Sequence, residues 1–215
     1  MSDSHSIVGP ATQRKLVPRA WVYTACLASL LYLLPGVATA QLPGLPQARR
    51  DAVMQQCRQI GGALFVYATD NVQNNNVYPD GKSSTEIFQK LLDENYVTDP
   101  SVFYFPMPGK TPPTAGQKLK PENVCFDVTL SADSDASDSM PLVFVTGYKV
   151  TYAPGAAAVP VAKPFPQSMI VFYKGHNSKV LIAGTDGSIA NFVPSSFDPK
   201  GKTYRQLTPD RPLVQ

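Results

Sequence analysis

Apolar residues at Val53, Cys57, Ile60, Leu64 and Tyr67 recur at alternating steps of four and three. That spacing places them on one face of a helix. Arg49, Arg50, Gln55, Arg58 and Gln59 fall on the other side, so the pattern predicts an amphipathic helix from Gln47 to about Thr69-Asp70-Asn71. Gly61-Gly62 weakens it but permits close packing. Val72 to Gly81 reads as a loop, with three asparagines and Pro79-Asp80-Gly81. A shorter helix follows. Ser83 and Glu86 have capping-box spacing, Ile87, Phe88, Leu91 and Leu92 form the apolar face, and Asn95 is suited to the C-terminal cap. Tyr96 to Pro106 is extended and then turns, and Met107 to Pro121 is a Pro/Gly/Lys loop.

From Asn123 the period changes to two. Val124, Phe126, Val128 and Leu130 alternate with Cys125, Asp127 and Thr129, which is a strand pattern. Leu142–Thr146, Tyr148–Tyr152 and Met169–Tyr173 read as further strands, separated by a polar loop (Ser131 to Ser139) and a Pro/Ala loop (Ala153 to Gln167). Val180–Ala183 and Ser188–Phe192 flank Thr185-Asp186-Gly187, and Asp-Gly suits a tight hairpin turn. Helices first and strands afterwards imply an α+β fold, an N-terminal amphipathic helix plus a short helix packed on an antiparallel sheet. The domain is expected to span residues 47–193, with an irregular, Pro-rich tail over 194–215 lying on the surface.

Composition adds constraints. Among 215 residues there are 21 prolines, which favours loops over long elements, and 43% of the chain is hydrophobic, enough for a core. Of 19 basic residues, Arg14, Lys15 and Arg19 precede residue 41, as does Asp3 among 16 acidic ones. The remainder carries 16 basic against 15 acidic residues, scattered along the chain. That balance supplies no basic face for nucleic acid.

The first 40 residues read as an address. A basic stretch (Arg14, Lys15, Arg19) precedes the uncharged apolar run Trp21–Leu34. Pro35-Gly36 then breaks the helix, and Ala38-Thr39-Ala40 offers the small residues a signal peptidase reads. Cleavage between Ala40 and Gln41 would leave residues 41–46 as a Pro/Gly linker before the domain. The alternative is a retained anchor through residues 20–40, since no charge occurs from Ala20 to Ala48 and the basic side would stay in the cytoplasm. Either way the chain is exported: periplasmic, secreted, or anchored in the inner membrane facing outward.

Residues that could carry chemistry are few. Cys57 and Cys125 are the only cysteines after the leader. They form a disulfide in an oxidising compartment or stay as two structural thiols. His176 is the only histidine after the leader and sits in the loop Lys174-Gly175-His176-Asn177, so neither a Cys-His nor a Ser-His-Asp arrangement is indicated. Asp133, Asp135 and Asp138 cluster in one loop. They read as a solvated acidic loop or as a calcium site, with neither the Gly nor the Glu of an EF-hand. No catalytic residues are assigned and no other cofactor is expected.

Three segments in order resemble a known family. They are Cys57-Arg58-Gln59-Ile60-Gly61-Gly62-Ala63-Leu64 running on to Tyr67-Ala68-Thr69-Asp70-Asn71 and Tyr78-Pro79; Tyr96-Val97-Thr98-Asp99-Pro100-Ser101-Val102-Phe103; and His176-Asn177-Ser178-Lys179-Val180-Leu181-Ile182-Ala183-Gly184-Thr185-Asp186-Gly187-Ser188-Ile189. Together they resemble the pseudopilin-like proteins of the type II secretion and type IV pilin superfamily, over patches of Ala48–Phe192. The resemblance implies a pilin-like head, a long helix laid on an antiparallel sheet, and a loop calcium in some members. It implies a non-enzymatic extracytoplasmic role in envelope or secretion-system assembly or surface interaction, with envelope or secretion-system proteins as partners. The chain departs from the family in its leader. The Phe-Thr-Leu-Ile-Glu prepilin signature is absent, and Pro35, Pro43 and Pro46 interrupt any continuous stem. Ser188 stands where the family hairpin has a histidine. A soluble periplasmic binding or scaffold protein that keeps only the fold, and an enzyme of unrecognised type, are the alternatives.

Overall fold

The computed structural model describes residues 47–71, 77–133, 135–162 and 167–211. The leader, its expected cleavage between Ala40 and Gln41, and the linker 41–46 lie outside the described residues, which all belong to one compact unit, Pro43–Gln215.

Helix α1 (Gln47–Asp70) buries Val53, Cys57, Ile60, Leu64 and Tyr67, the face set by the four-three spacing. Its last turn closes on Asn71, whose backbone and side-chain N–H groups both donate to the Tyr67 carbonyl. Helix α2 (Ser84–Asp93) starts at Ser83, whose hydroxyl accepts from the Glu86 N–H at 3.2 Å. Glu86 reaches back to the Lys82 N–H at 2.8 Å, one residue before the partner a strict capping box would use. The helix ends with Asn95 in the left-handed region (φ 61°). Tyr96 N–H bonds to the Leu91 carbonyl and Asn95 N–H to that of Leu92, so Asn95 takes the role glycine usually fills. Two 3₁₀ turns follow, Pro100–Phe103 and Pro121–Asn123.

The strands are β1 (Phe126–Leu130), β2 (Pro141–Val145), β3 (Tyr148–Val150), β4 (Ala158–Pro160), β5 (Ser168–Tyr173), β6 (Ser178–Ile182) and β7 (Arg205–Leu207). Five of them form an antiparallel sheet in the order β6-β5-β2-β1-β7, and β3 and β4 form a separate hairpin. The three inner strands are buried on both faces. Val128, Val143 and Phe172 are cross-strand neighbours and share the face against the helices, where Phe172 meets Gly61 of α1. Asp127, Phe144 and Val171 share the other face, covered by β3 and by Phe192, whose ring meets Phe144 edge-on. The α+β class and the order of elements thus follow the hydrophobic pattern.

Two expectations need correction. The tail over 194–215 is not an irregular surface segment. Phe197, Tyr204 and Leu207 are buried, and Arg205–Leu207 adds the edge strand β7 to β1. Beyond it, the Thr208 carbonyl accepts from the Ser84 N–H, and that of Pro209 from the Thr85 hydroxyl. The first turn of α2 therefore finds its acceptors in the tail. The domain consequently runs past residue 193. The second correction concerns the hairpin. Val180–Ala183 does not ladder with Ser188–Phe192. β6 pairs instead with β5, across Lys174-Gly175-His176-Asn177, where His176 takes φ 63° and the Tyr173 N–H bonds to the Asn177 carbonyl. Asp186-Gly187 still makes a tight turn, with the Gly184 N–H on the Ser188 carbonyl at 2.8 Å. Beyond it, Ile189 bridges to Ala158 of β4.

Candidate functional site

The acidic loop runs between β1 and β2. Lysines engage two of its three carboxylates and one of its backbone carbonyls. Asp133 pairs with Lys202, Asp138 with Lys174 at 3.3 Å, and the Lys200 ammonium donates to the Asp135 carbonyl at 2.9 Å. Contact with Asp133 raises the Lys202 ammonium above its ordinary pKa, as expected for a paired cation. Asp133 also accepts from the Asp135 N–H and bridges to Val77, so the loop is stitched to the segment after α1. Among the described residues no group of three His, Cys, Asp or Glu side chains converges as a metal site. A calcium ion here would have to displace Lys202 from Asp133.

Cys57 and Cys125 are both buried and both free, so the disulfide is not formed. Cys57 faces the core from α1, and burial pushes its thiol far above the ordinary range. The Cys125 sulfur donates to the Phe105 carbonyl at 3.3 Å and accepts from the Phe105 N–H at 3.5 Å. Two thiols raised by burial are weak nucleophiles, and they act as packing groups. His176 sets its ring edge-on to Phe65 of α1 at 5.0 Å and to Phe172 at 6.0 Å. It is a packing group at the β5–β6 turn, on a left-handed residue.

Two features had no counterpart in the sequence reading. The first is an open groove of about 900 Å³ between α1 and the chain that follows α2. Gln56, Gln59, Val66 and Asp70 line one wall, Tyr96 and Asp99 the other. Asp99 is spent locally, its two carboxylate oxygens accepting from the Ser101 N–H and hydroxyl, which hold it below the usual carboxylate range. Gln56 donates to the Tyr104 carbonyl at 2.8 Å, while its own side-chain oxygen is buried without a partner among the described residues.

The second feature is a polar seam inside the sheet. Asp127, the second residue of β1, is 0% exposed. The Gln206 side-chain amide, from β7, donates to Asp127 Oδ2 and to the Tyr148 carbonyl, both at 2.6 Å, while its oxygen accepts from the Val150 N–H at 2.9 Å. One glutamine therefore ties β1, β7 and β3 together. Next to it Thr129 donates to the Pro141 carbonyl and lies 2.6 Å from the Tyr152 hydroxyl. Asp127 Oδ1 has no hydrogen-bond partner, and no cation forms an ion pair with Asp127 among the described residues.

Comparison of the chain with protein-family models, with curated proteins and with solved structures finds no match.

Proposed function

We propose that this chain is a non-enzymatic extracytoplasmic protein with a pseudopilin-like head, acting in envelope or secretion-system assembly or in surface interaction. The observation that carries the reading is the continuous helix α1, 24 residues long, laid across an antiparallel sheet and following the basic and apolar leader and its Pro/Gly linker in sequence. A helix packed along the sheet gives the head a rigid spine. Gly61 is part of the device, since it lets α1 settle onto Phe172 of the sheet. The three resemblance segments fall on α1, on the turn after α2 and on β6 with the loop beyond it, so they mark the helix–sheet framework.

Membrane fractionation of the full chain with sequencing of the mature N-terminus tests this reading. A retained chain extracted only by detergent supports an assembly role. A soluble chain beginning at Gln41 favours the second reading, a periplasmic binding or scaffold protein. The open groove of about 900 Å³ beside Gln56 is the observation on that side.

A further inference from the structure

We propose that Asp127 is a proton-operated latch on the C-terminal clasp: protonated, it keeps residues 203–211 docked on the sheet, and ionised, it drives them off. This goes beyond the proposed function and does not depend on it.

The hydrogen bonds of the seam fix which Asp127 oxygen can carry a proton. The Val150 N–H is a donor, so the Gln206 side-chain oxygen must face it, and the amide nitrogen must face Asp127. Oδ2 is therefore an acceptor in both protonation states. A proton, when present, sits on Oδ1, the oxygen without a partner. The groups facing Asp127 are the Gln206 amide from β7, the Thr146 hydroxyl after β2, the Tyr152 hydroxyl beyond β3 and the Lys110 ammonium from the loop before β1. Only Lys110 is cationic, and it donates to the Pro121 carbonyl at 2.8 Å. An ionised Asp127 would be a buried carboxylate with only neutral donors, Gln206 and Thr146, and no ion pair among the described residues, which is strongly disfavoured.

Relief comes most readily by letting water in from the edge. β1 is one strand from the edge, and β7, the edge itself, is three residues long. Gln206 is at once the cover of Asp127 and its ligand, so lifting β7 exposes the carboxyl and frees the amide in one motion. Ser84 N–H to the Thr208 carbonyl and Thr85 hydroxyl to that of Pro209 would break with it.

Burial pushes the Asp127 carboxyl from 3.8 up to about 7, against smaller opposing effects of Thr146, Gln206 and Lys110. A carboxyl held protonated in the docked state favours docking most below pH about 4, and this preference is lost as the pH climbs through about 7. The opening equilibrium of the clasp should then rise roughly 100-fold between pH 5 and pH 8.

Hydrogen exchange on the full chain, corrected for intrinsic rates, tests this. Peptides covering residues 203–211 and the Ser84 amide should exchange roughly 100-fold faster at pH 8 than at pH 5. Residues Cys57–Leu64 of α1 should stay protected over the same window. Asp127→Asn keeps an acceptor for Gln206 and has no proton to lose, so its clasp should show no such pH dependence. Clasp exchange that is flat with pH, that moves only together with α1, or that persists unchanged in Asp127→Asn would overturn the proposal. Should the variant not fold, the carboxyl carbon resonance of Asp127 in the wild type decides. Titration near 7 supports the latch, and titration below 5 removes it.

Discussion

An alanine Cβ at Gly61 would meet Phe172 Cε1 at 2.2 Å, whereas at Gly62 nothing lies within 4 Å. The two adjacent glycines should therefore respond oppositely to the same change. Gly62→Ala removes backbone entropy from an open helix position and should stabilise by about 0.5–1 kcal/mol. Gly61→Ala must push α1 away from β5 and should destabilise by about 1–3 kcal/mol, beyond any propensity gain. Chemical denaturation of the two variants measures both. The sequence shows that a Gly-Gly pair in a helix permits a close approach. It does not show which of the two makes it, because that depends on the Phe172 rotamer across the sheet. Asp127 was similarly opaque. Between Phe126 and Val128 it reads as the solvent side of an ordinary alternation, and only β3 over that face, with Gln206 reaching across from the edge strand β7, puts it out of water. Local period reports which face a residue takes, and burial of that face is a tertiary fact.

Among the elements, both helices and four strands of the central sheet were legible because their periods are long enough to count. Of the three-residue strands, β3 was read, two residues too long, as Tyr148–Tyr152, and β4 and β7 were not. β4 lies in a Pro/Ala stretch and β7 in a Pro-rich tail, and three residues carry no periodicity. The strength of Asp-Gly as a turn signal misled in a different way. It does form a tight turn, but the ladder goes to β5 through a turn that a left-handed histidine makes possible. The tail can be tested directly. Leu207 is 0% exposed, so Leu207→Ala should cost about 2–5 kcal/mol, where a loosely lying segment would cost nothing measurable. The acidic loop makes the opposite kind of prediction. With Lys202 on Asp133 and Lys174 on Asp138, the melting temperature should be the same in millimolar calcium and in chelator. A rise with calcium would mean that the ion outcompetes the lysines and that the loop is a metal site. Lys202→Ala leaves Asp133 without its cation, and a loss of about 0.5–1 kcal/mol is expected at this partly exposed position.

For the whole molecule, the described residues form one helix-on-sheet unit whose N-terminal helix follows a basic and then apolar stretch of sequence. No helix among the described residues is long and apolar enough to cross a membrane. The site was less legible than the fold. The residues that look chemical in the sequence serve other ends: Cys57, Cys125 and His176 pack, Asp133 and Asp138 pair with lysines, and Asp135 contributes backbone hydrogen bonds. The groove and the buried seam are assembled from Gln56, Gln206 and Asp127, whose types carry no motif. The central claim is that this head works outside the cytoplasm, presented by its leader. Proteinase added to spheroplasts of a bacterial host expressing the full chain tests it most directly, with a cytoplasmic enzyme as the intactness control. The account predicts that the head is digested, or already released, while the control survives. A head that stays intact until the inner membrane is lysed would contradict it.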